Sequence, residues 1–128
     1  MLLLDTCTFL WWAAGDARVP QPLQAILRDP DQRVCLSAVS AWEIAVKVRT
    51  GKLVLPAPPA TYVPDRRKRL SIEALPLSEP EVSFLAKLPD LHRDPFDRML
   101  ICQAMANRAA LVTPDAAITQ YPCLTVWD

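Results

Sequence analysis

The chain has 128 residues, of which 52% are hydrophobic and 22% charged, and its 14 basic residues balance its 14 acidic ones. This composition excludes a disordered chain, and the length suits a single domain over residues 1–128 with a substantial core. The zero net charge excludes a global field that attracts nucleic acid, so a nucleic-acid partner would need a local basic patch or a metal ion.

The cysteine spacing, the histidine count and the hydropathy of the first residues argue against further classes of protein. The four cysteines form no CxxC pair and His92 is the single histidine, which argues against a zinc site. Such scattered cysteines are expected as reduced core residues of a cytoplasmic protein. The apolar start "MLLLDTCTFLWW" is interrupted by Asp5 and is too short to span a bilayer, so neither a signal peptide nor a membrane segment is predicted.

The first half of the chain predicts alternating strands and helices. "MLLL" predicts a short buried strand, "TCTFLWWAA" a helix that stops near Gly15, and "LQAILRD" a second short helix. "RVCLS" predicts the next strand. It leads into "AVSAWEIAVKVRTGK", a helix that starts at Ser37 and is ended by Gly51.

The second half continues the alternation after a proline-rich stretch. "LPAPPATYVP" predicts a linker and "PDRRKRL" the start or part of a helix. "SIEALPL" predicts a third strand and "SEPEVSFLAKL" a helix capped by Ser78. "DPFDRMLICQAMANRA" predicts a helix with Asp94 as N-cap and Pro95 in its first position. "ALVT", "DAAITQY" and "LTVW" predict a strand, a short helix and a final strand.

The alternation predicts an α/β fold in which a parallel sheet is covered by helices on both faces. Ligands bind such sheets beyond the carboxyl ends of the strands. Asp5 follows the first strand and Asp115 the fourth, while the helices that carry Glu43 and Asp97 have their N-terminal halves at the same edge. We therefore expect these four carboxylates to converge.

Four carboxylates at one point repel one another unless a cation joins them. Oxygen ligands without imidazole or thiolate favour Mg²⁺ or Mn²⁺. Such an ion can bind a phosphodiester oxygen and promote attack by water. The predicted chemistry is metal-assisted hydrolysis of a phosphodiester.

Each acid except one also has a structural interpretation. Asp97 is in the first turn of its helix, where an acid suits the helix dipole. Glu43 can close a capping box with Ser40, and Asp115 can cap the helix that follows "TPD". No capping role is expected for Asp5, which directly ends a buried strand.

Four stretches occur in an order that resembles one family from end to end: "LLLDT", "SAVSAWEIAVKVRTGKL", "HRDPFDRMLICQA" and "LVTPD". They resemble the PIN-domain ribonucleases, and more narrowly the toxins of VapBC-type toxin–antitoxin pairs. The resemblance implies a three-layer α/β/α sandwich around a central, mainly parallel five-stranded sheet, and Mg²⁺- or Mn²⁺-dependent endonucleolytic cleavage of RNA. It places Asp5, Glu43, Asp97 and Asp115 on the acidic positions of the family. Thr6 and Thr113 match hydroxyl positions near the metal, and the alternative for both is packing at the end of a strand. Asp94 is interpreted as an N-cap in preference to a metal ligand.

The resemblance also implies partners: a cognate antitoxin that neutralises the toxin, a second copy in a homodimer, and promoter DNA bound by the toxin–antitoxin complex. Two departures are that Cys7 stands where histidine is common and Pro114 where arginine is common. One alternative is a catalytically silent PIN-like binding module that works through protein or RNA complexes. Another is a phosphatase of the D-x-D-x-T kind, which the "DTCTF" stretch does not match because it lacks the second acid.

Basic and aromatic residues have two interpretations each. The "RRKR" run, Arg66 to Arg69, can track RNA phosphates, contact an acidic partner or form a solvated helix face. Arg93 and Arg98 can bind the scissile phosphate or pair with a neighbouring acid. Lys47 can pair with Glu43 one helical turn away. The four tryptophans are expected to pack in the core or at a protein interface rather than to stack on bases.

Overall fold

The computed structural model describes residues 1–91 and 94–128. At its centre is a five-stranded sheet. Its strands are β1 (Leu2–Leu4), β2 (Val34–Ser37), β3 (Glu73–Leu75), β4 (Ala110–Val112) and β5 (Leu124–Val126). The strand order is β3-β2-β1-β4-β5 and every neighbouring pair is parallel. The predicted α/β class and parallel sheet are confirmed.

Over the described residues the strands are connected by six α-helices: α1 (Thr6–Ala14), α2 (Gln21–Arg28), α3 (Ala38–Arg49), α4 (Pro59–Arg69), α5 (Glu79–Val82) and α6 (Pro95–Ala106). Gly15 and Gly51 follow α1 and α3 with φ of 68° and 75°, the left-handed conformation that glycine adopts at helix ends. Ser37, Ser78 and Asp94 are the N-caps of α3, α5 and α6, as predicted.

The strands bury side chains on both faces of the sheet. Within β1, Leu2 and Leu4 pack in one hydrophobic cluster and Leu3 packs in the other, because successive side chains of a strand point to opposite faces. Phe9 of α1 packs in the first cluster, and Leu100 of α6 packs in the second. Helices therefore cover the sheet from both sides, which confirms the three-layer α/β/α sandwich.

The linker prediction is wrong in its second half, since α4 begins at Pro59 and continues through Pro64. Pro59 occupies the first helical position, where its missing N–H would have had no partner. Pro64 removes one helical hydrogen bond, but the neighbouring Val63 is buried in the first core cluster.

Two predicted helices are shorter than expected. The helix predicted over "SEPEVSFLAKL" is a single α-helical turn, α5, followed by a 3₁₀-helix over Ser83–Lys87. The "DAAITQY" helix is a 3₁₀ turn over Ile118–Gln120. Among the described residues, no helix is both long enough and apolar enough to cross a membrane.

Candidate active site

A cavity of about 170 Å³ at the carboxyl edge of the sheet collects most of the predicted site residues. Its charged lining consists of the carboxylates of Asp5, Glu43, Asp94, Asp97 and Asp115 and the ammonium group of Lys47. Thr6, Cys7 and Leu10 complete the lining. Five carboxylates therefore face one cation, and the convergence expected from the strand order is present.

Asp5 is held at the junction of β1 and α1. Its backbone N–H donates to the carbonyl of Val112 on β4, and its Oδ1 accepts the backbone N–H of Thr8 at 2.8 Å. Asp5 is thus the N-cap of α1, so the expectation that it has no capping role is wrong. Because α1 begins at Thr6, with no loop after β1, Asp5 occupies the N-cap position.

Burial raises the pKa of Asp5 above its ordinary value. The side chain is 4% exposed, and removal from water disfavours its charged form. Hydrogen bonds with Thr113, Thr8 and Cys7 act in the opposite direction without cancelling the effect of burial. The Cys7 thiol lies 3.5 Å from Asp5 Oδ1, and burial together with this carboxylate raises the pKa of Cys7 to about 12.

Glu43 is buried and has partners on both oxygens. The Thr6 hydroxyl donates to its Oε1 at 2.6 Å, and Lys47 donates to its Oε2. The hydrogen bond with Glu43 is the main cause that raises the pKa of Lys47. Ser40 does not form the alternative capping box: Ser37 is the N-cap of α3, and the Ser40 hydroxyl lies 3.0 Å from Thr6 Oγ1.

Asp94 and Asp115 reach the cavity from loop ends while capping helical turns. Asp94 Oδ1 accepts the backbone N–H groups of Phe96 and Asp97 at 2.9 and 3.3 Å, which confirms its N-cap role. Asp115 Oδ1 accepts the N–H of Ala117 at 2.9 Å, and its own N–H donates to the hydroxyl of Thr113. Asp97 is half-buried in the first turn of α6.

The chemistry of this donor set fits a hard divalent cation. Carboxylate and hydroxyl oxygens are the ligands that Mg²⁺ and Mn²⁺ prefer, and a cation would relieve the mutual repulsion of the acids and the penalty of the buried Asp5. Within residues 1–91 and 94–128, no three Asp, Glu, His or Cys side chains are already close enough to hold an ion. The Thr6 hydroxyl donates to Glu43, and the Thr113 hydroxyl accepts the backbone N–H of Asp115.

The structure does not bring Arg98 to the cavity, and Arg93 lies outside the described residues. The Arg98 guanidinium donates to the carbonyl of Pro89 at 3.2 Å and to the Tyr121 hydroxyl at 3.3 Å. Lys47, in contrast, lines the cavity although it was expected only as a partner of Glu43. Its spacing of one helical turn from a site acid is the signal that identifies it.

Comparisons with known proteins bear on this arrangement. The family model of the PIN domain matches residues 2–122. A 52-residue stretch is 50% identical to "Ribonuclease VapC16" of Mycobacterium tuberculosis, which is 41% of this chain and 37% of that protein. The alignment thus spans little more than a third of the curated relative.

Solved structures share the fold over the whole chain at low sequence identity. A chain of VapBC2 from Rickettsia felis, bound to a promoter DNA fragment, superposes with a TM-score of 0.75 at 15% identity, covering 99% of this chain and 98% of that one. DNA-bound VapBC from Salmonella typhimurium gives 0.69 at 16% identity, with 99% and 96% coverage. FitAcB from Neisseria gonorrhoeae gives 0.63 at 20% identity, with 98% and 96% coverage.

Proposed function

The chain belongs to the PIN domain family, and from that premise we propose that it is a Mg²⁺- or Mn²⁺-dependent endoribonuclease that acts as a toxin. The observation that carries the proposal is one cavity at the carboxyl edge of the sheet that Asp5, Glu43, Asp97 and Asp115 line together. These residues come from four separate parts of the chain. A protein that only binds partners has no need to hold repelling carboxylates together.

The four acids would hold the ion, with Asp94 retained as a helix cap. When bound, Mg²⁺ or Mn²⁺ supplies Lewis-acid activation of the phosphodiester and of the attacking water. Thr6 and Lys47 fix the two oxygens of Glu43, and the Thr8 amide fixes one oxygen of Asp5. These contacts orient the carboxylates before substrate arrives, so less reorganisation accompanies the reaction.

Cleavage assays with charge-removing variants test this assignment. We expect the purified chain with Mn²⁺ to cut RNA and EDTA to stop it. Asp5→Asn or Asp97→Asn should lower the rate by about a hundredfold or more, since changes even to the outer shell of a metal site cost roughly 10–100-fold. Asp31→Asn is the matched control, because Asp31 is exposed and lies outside the cavity.

The outcomes separate the enzyme from its alternative. If the Asp5 and Asp97 variants fold, as judged by circular dichroism, and cut RNA as fast as the parent chain, the metal assignment is wrong. If the parent chain binds RNA or a protein equally well in EDTA and never cuts, the catalytically silent binding module replaces the enzyme.

We further propose that a cognate antitoxin neutralises the chain in the cytoplasm, that the chain forms a homodimer and that the complex binds promoter DNA. The support is the name of the curated relative and the shared fold with VapBC chains, two of them solved with DNA. Trp42 on α3 is 60% exposed, and its ring packs edge-on against that of Phe96 with 4.7 Å between the ring centroids. Together the two rings form an apolar surface that suits a protein partner.

Co-expression with a candidate antitoxin, sought among small reading frames beside this gene, tests the assembly. We expect the two proteins to co-purify, growth inhibition by the chain alone to be relieved, and the complex to shift promoter DNA in a gel. Light scattering should give twice the 14.3 kDa mass for the isolated chain. Trp42→Ala should weaken at least one of these associations, and full association of this variant would exclude the Trp42 surface.

A further inference from the structure

A second, larger cavity of about 540 Å³ lies at the opposite edge of the sheet. It is lined by residues at the C-terminal ends of three helices: Gly15 after α1, Arg28 at the end of α2, and Leu70 after α4. The chain then enters β2 and β3 from this side. The cavity is therefore separated by the length of the strands from the acids at the carboxyl edge, and its volume is that of a small-molecule site.

Two buried hydrogen-bond donors in the lining have no partner among the described residues: Nε1 of Trp12 and Nε of Arg66. Trp12 is 7% exposed. Buried polar groups are nearly always satisfied, and an unpaired one destabilises the folded state. Two such donors on residues that line the same cavity favour an acceptor-rich ligand.

The charge of the cavity specifies the sign of that ligand. Arg28, Arg66 and Arg69 line it, against one lining carboxylate, Asp29. Arg69 is paired with Asp65 at 3.0 Å, but within the described part of the chain neither Arg28 nor Arg66 has a carboxylate within ion-pairing distance. The guanidinium of Arg28 lies 5.0 Å above the Trp12 ring. The donors and the excess of lining arginines over lining carboxylates thus favour an anion with several oxygens.

The same arginines have a simpler interpretation, because each lies in the last turn of its helix, where a cation offsets the helix dipole. That interpretation does not account for the unpaired indole N–H of Trp12. It also predicts no preference among anions, so an experiment that compares anions can distinguish it from a specific binding site.

We propose that this cavity binds a phosphate group, either as free phosphate or on a mononucleotide, through Arg66, Arg28 and the Trp12 indole. A recessed single N–H and planar guanidinium groups match the several acceptor oxygens of one phosphate. The small volume and the buried donors favour a small ligand over an RNA strand. The site is independent of the proposed ribonuclease, so either can fail without the other.

Titration in EDTA isolates this cavity, because without a divalent ion the acidic site repels anions. We expect inorganic phosphate and adenosine monophosphate, but not chloride at equal ionic strength, to raise the melting temperature. In ¹⁵N spectra the same titrations should move the indole N–H signal of Trp12. Tighter binding of the mononucleotide would identify it as the source of the phosphate, and equal binding would identify free phosphate.

Variants with neighbouring controls test the assignment. Trp12→Phe and Arg66→Gln should each weaken phosphate binding about tenfold, since each removes a hydrogen bond to a charged group. Trp11→Phe and Arg67→Gln should bind like the parent chain, because neither residue lines this cavity. If Trp12→Phe does not fold, the indole shift in the unaltered protein and the Arg66→Gln variant decide.

Three results would overturn the proposal: equal effects of chloride and phosphate, equal binding by Arg66→Gln and the parent chain, or an indole signal that moves only with a single-stranded RNA lacking a terminal phosphate. The last would make the cavity an RNA contact. RNA cleavage that persists in a protein without phosphate binding would remove this inference and leave the proposed function intact.

Discussion

Asp5 is at once a structural and a functional residue. Its Oδ1 caps α1 by accepting the Thr8 amide, yet its side chain lines the acidic cavity and is buried. Burial raises its pKa, so the folded chain without metal holds the proton of Asp5 more tightly than the unfolded chain does. Asp5 therefore makes the stability of the metal-free protein depend on pH.

The sign of this dependence is defined by the raised pKa. Between the ordinary pKa of aspartate, about 3.9, and the raised value, the folded state binds more protons, so the contribution of Asp5 to stability is lost as the pH rises through this window. Asp5→Asn still caps α1 but carries no charge. In EDTA we expect its free energy of unfolding, measured in urea, to exceed that of the parent by an amount that grows from about pH 4 until the pH passes the raised pKa of Asp5. A difference that is constant with pH would contradict this.

The position of a residue at the end of a strand or helix can be predicted from the sequence, but the direction of its side chain is harder to predict. The convergence of the acids could be predicted, because it depends only on which strand end or helix end each residue occupies. The direction of Arg98 could not be predicted by adjacency to Asp97, since consecutive helical residues point about 100° apart. Asp97 lines the cavity, whereas Arg98 contacts Pro89 and Tyr121.

At the level of elements, capping signals predicted helix starts better than proline content predicted loops. Ser37 and Asp94 are predictable as N-caps because each precedes apolar helical periodicity, and both side chains accept backbone N–H groups. The start of α4 at Pro59 is not predictable from its prolines, because prolines are also common in linkers. The burial of Val63, a tertiary contact, stabilises this helix and is invisible in the local sequence.

The N-cap of α6 can be separated from a metal-binding role by two substitutions at Asp94. Asp94→Ala should lower the free energy of unfolding by about 1 kcal/mol, because the N–H groups of Phe96 and Asp97 lose their acceptor. Asp94→Asn retains the acceptor and should unfold like the parent chain in urea. It should also cut RNA at the parental rate. Loss of cleavage with unchanged stability in Asp94→Asn would instead identify Asp94 as a ligand.

Across the whole molecule, the zero net charge conceals two local excesses of opposite sign. The carboxyl edge of the sheet carries five lining carboxylates against Lys47, and the amino edge carries three lining arginines against Asp29. The acidic edge could be predicted from topology, since the alternation of strands and helices determines it. The arginine cavity could not, because it depends on how the ends of three helices pack.

Metal binding to the acidic edge should stabilise the entire fold by mass action. Mn²⁺ at about 100 times its Kd should raise the free energy of unfolding of the parent chain by about 2.7 kcal/mol, provided that the unfolded chain does not bind it. Asp97→Asn should lose most of this gain while being as stable as the parent chain, or more stable, in EDTA, because it relieves repulsion. Asp31→Asn, as the control, should respond to Mn²⁺ like the parent. Clear destabilisation of Asp97→Asn in EDTA, measured by urea unfolding, would show that Asp97 serves α6 rather than an ion.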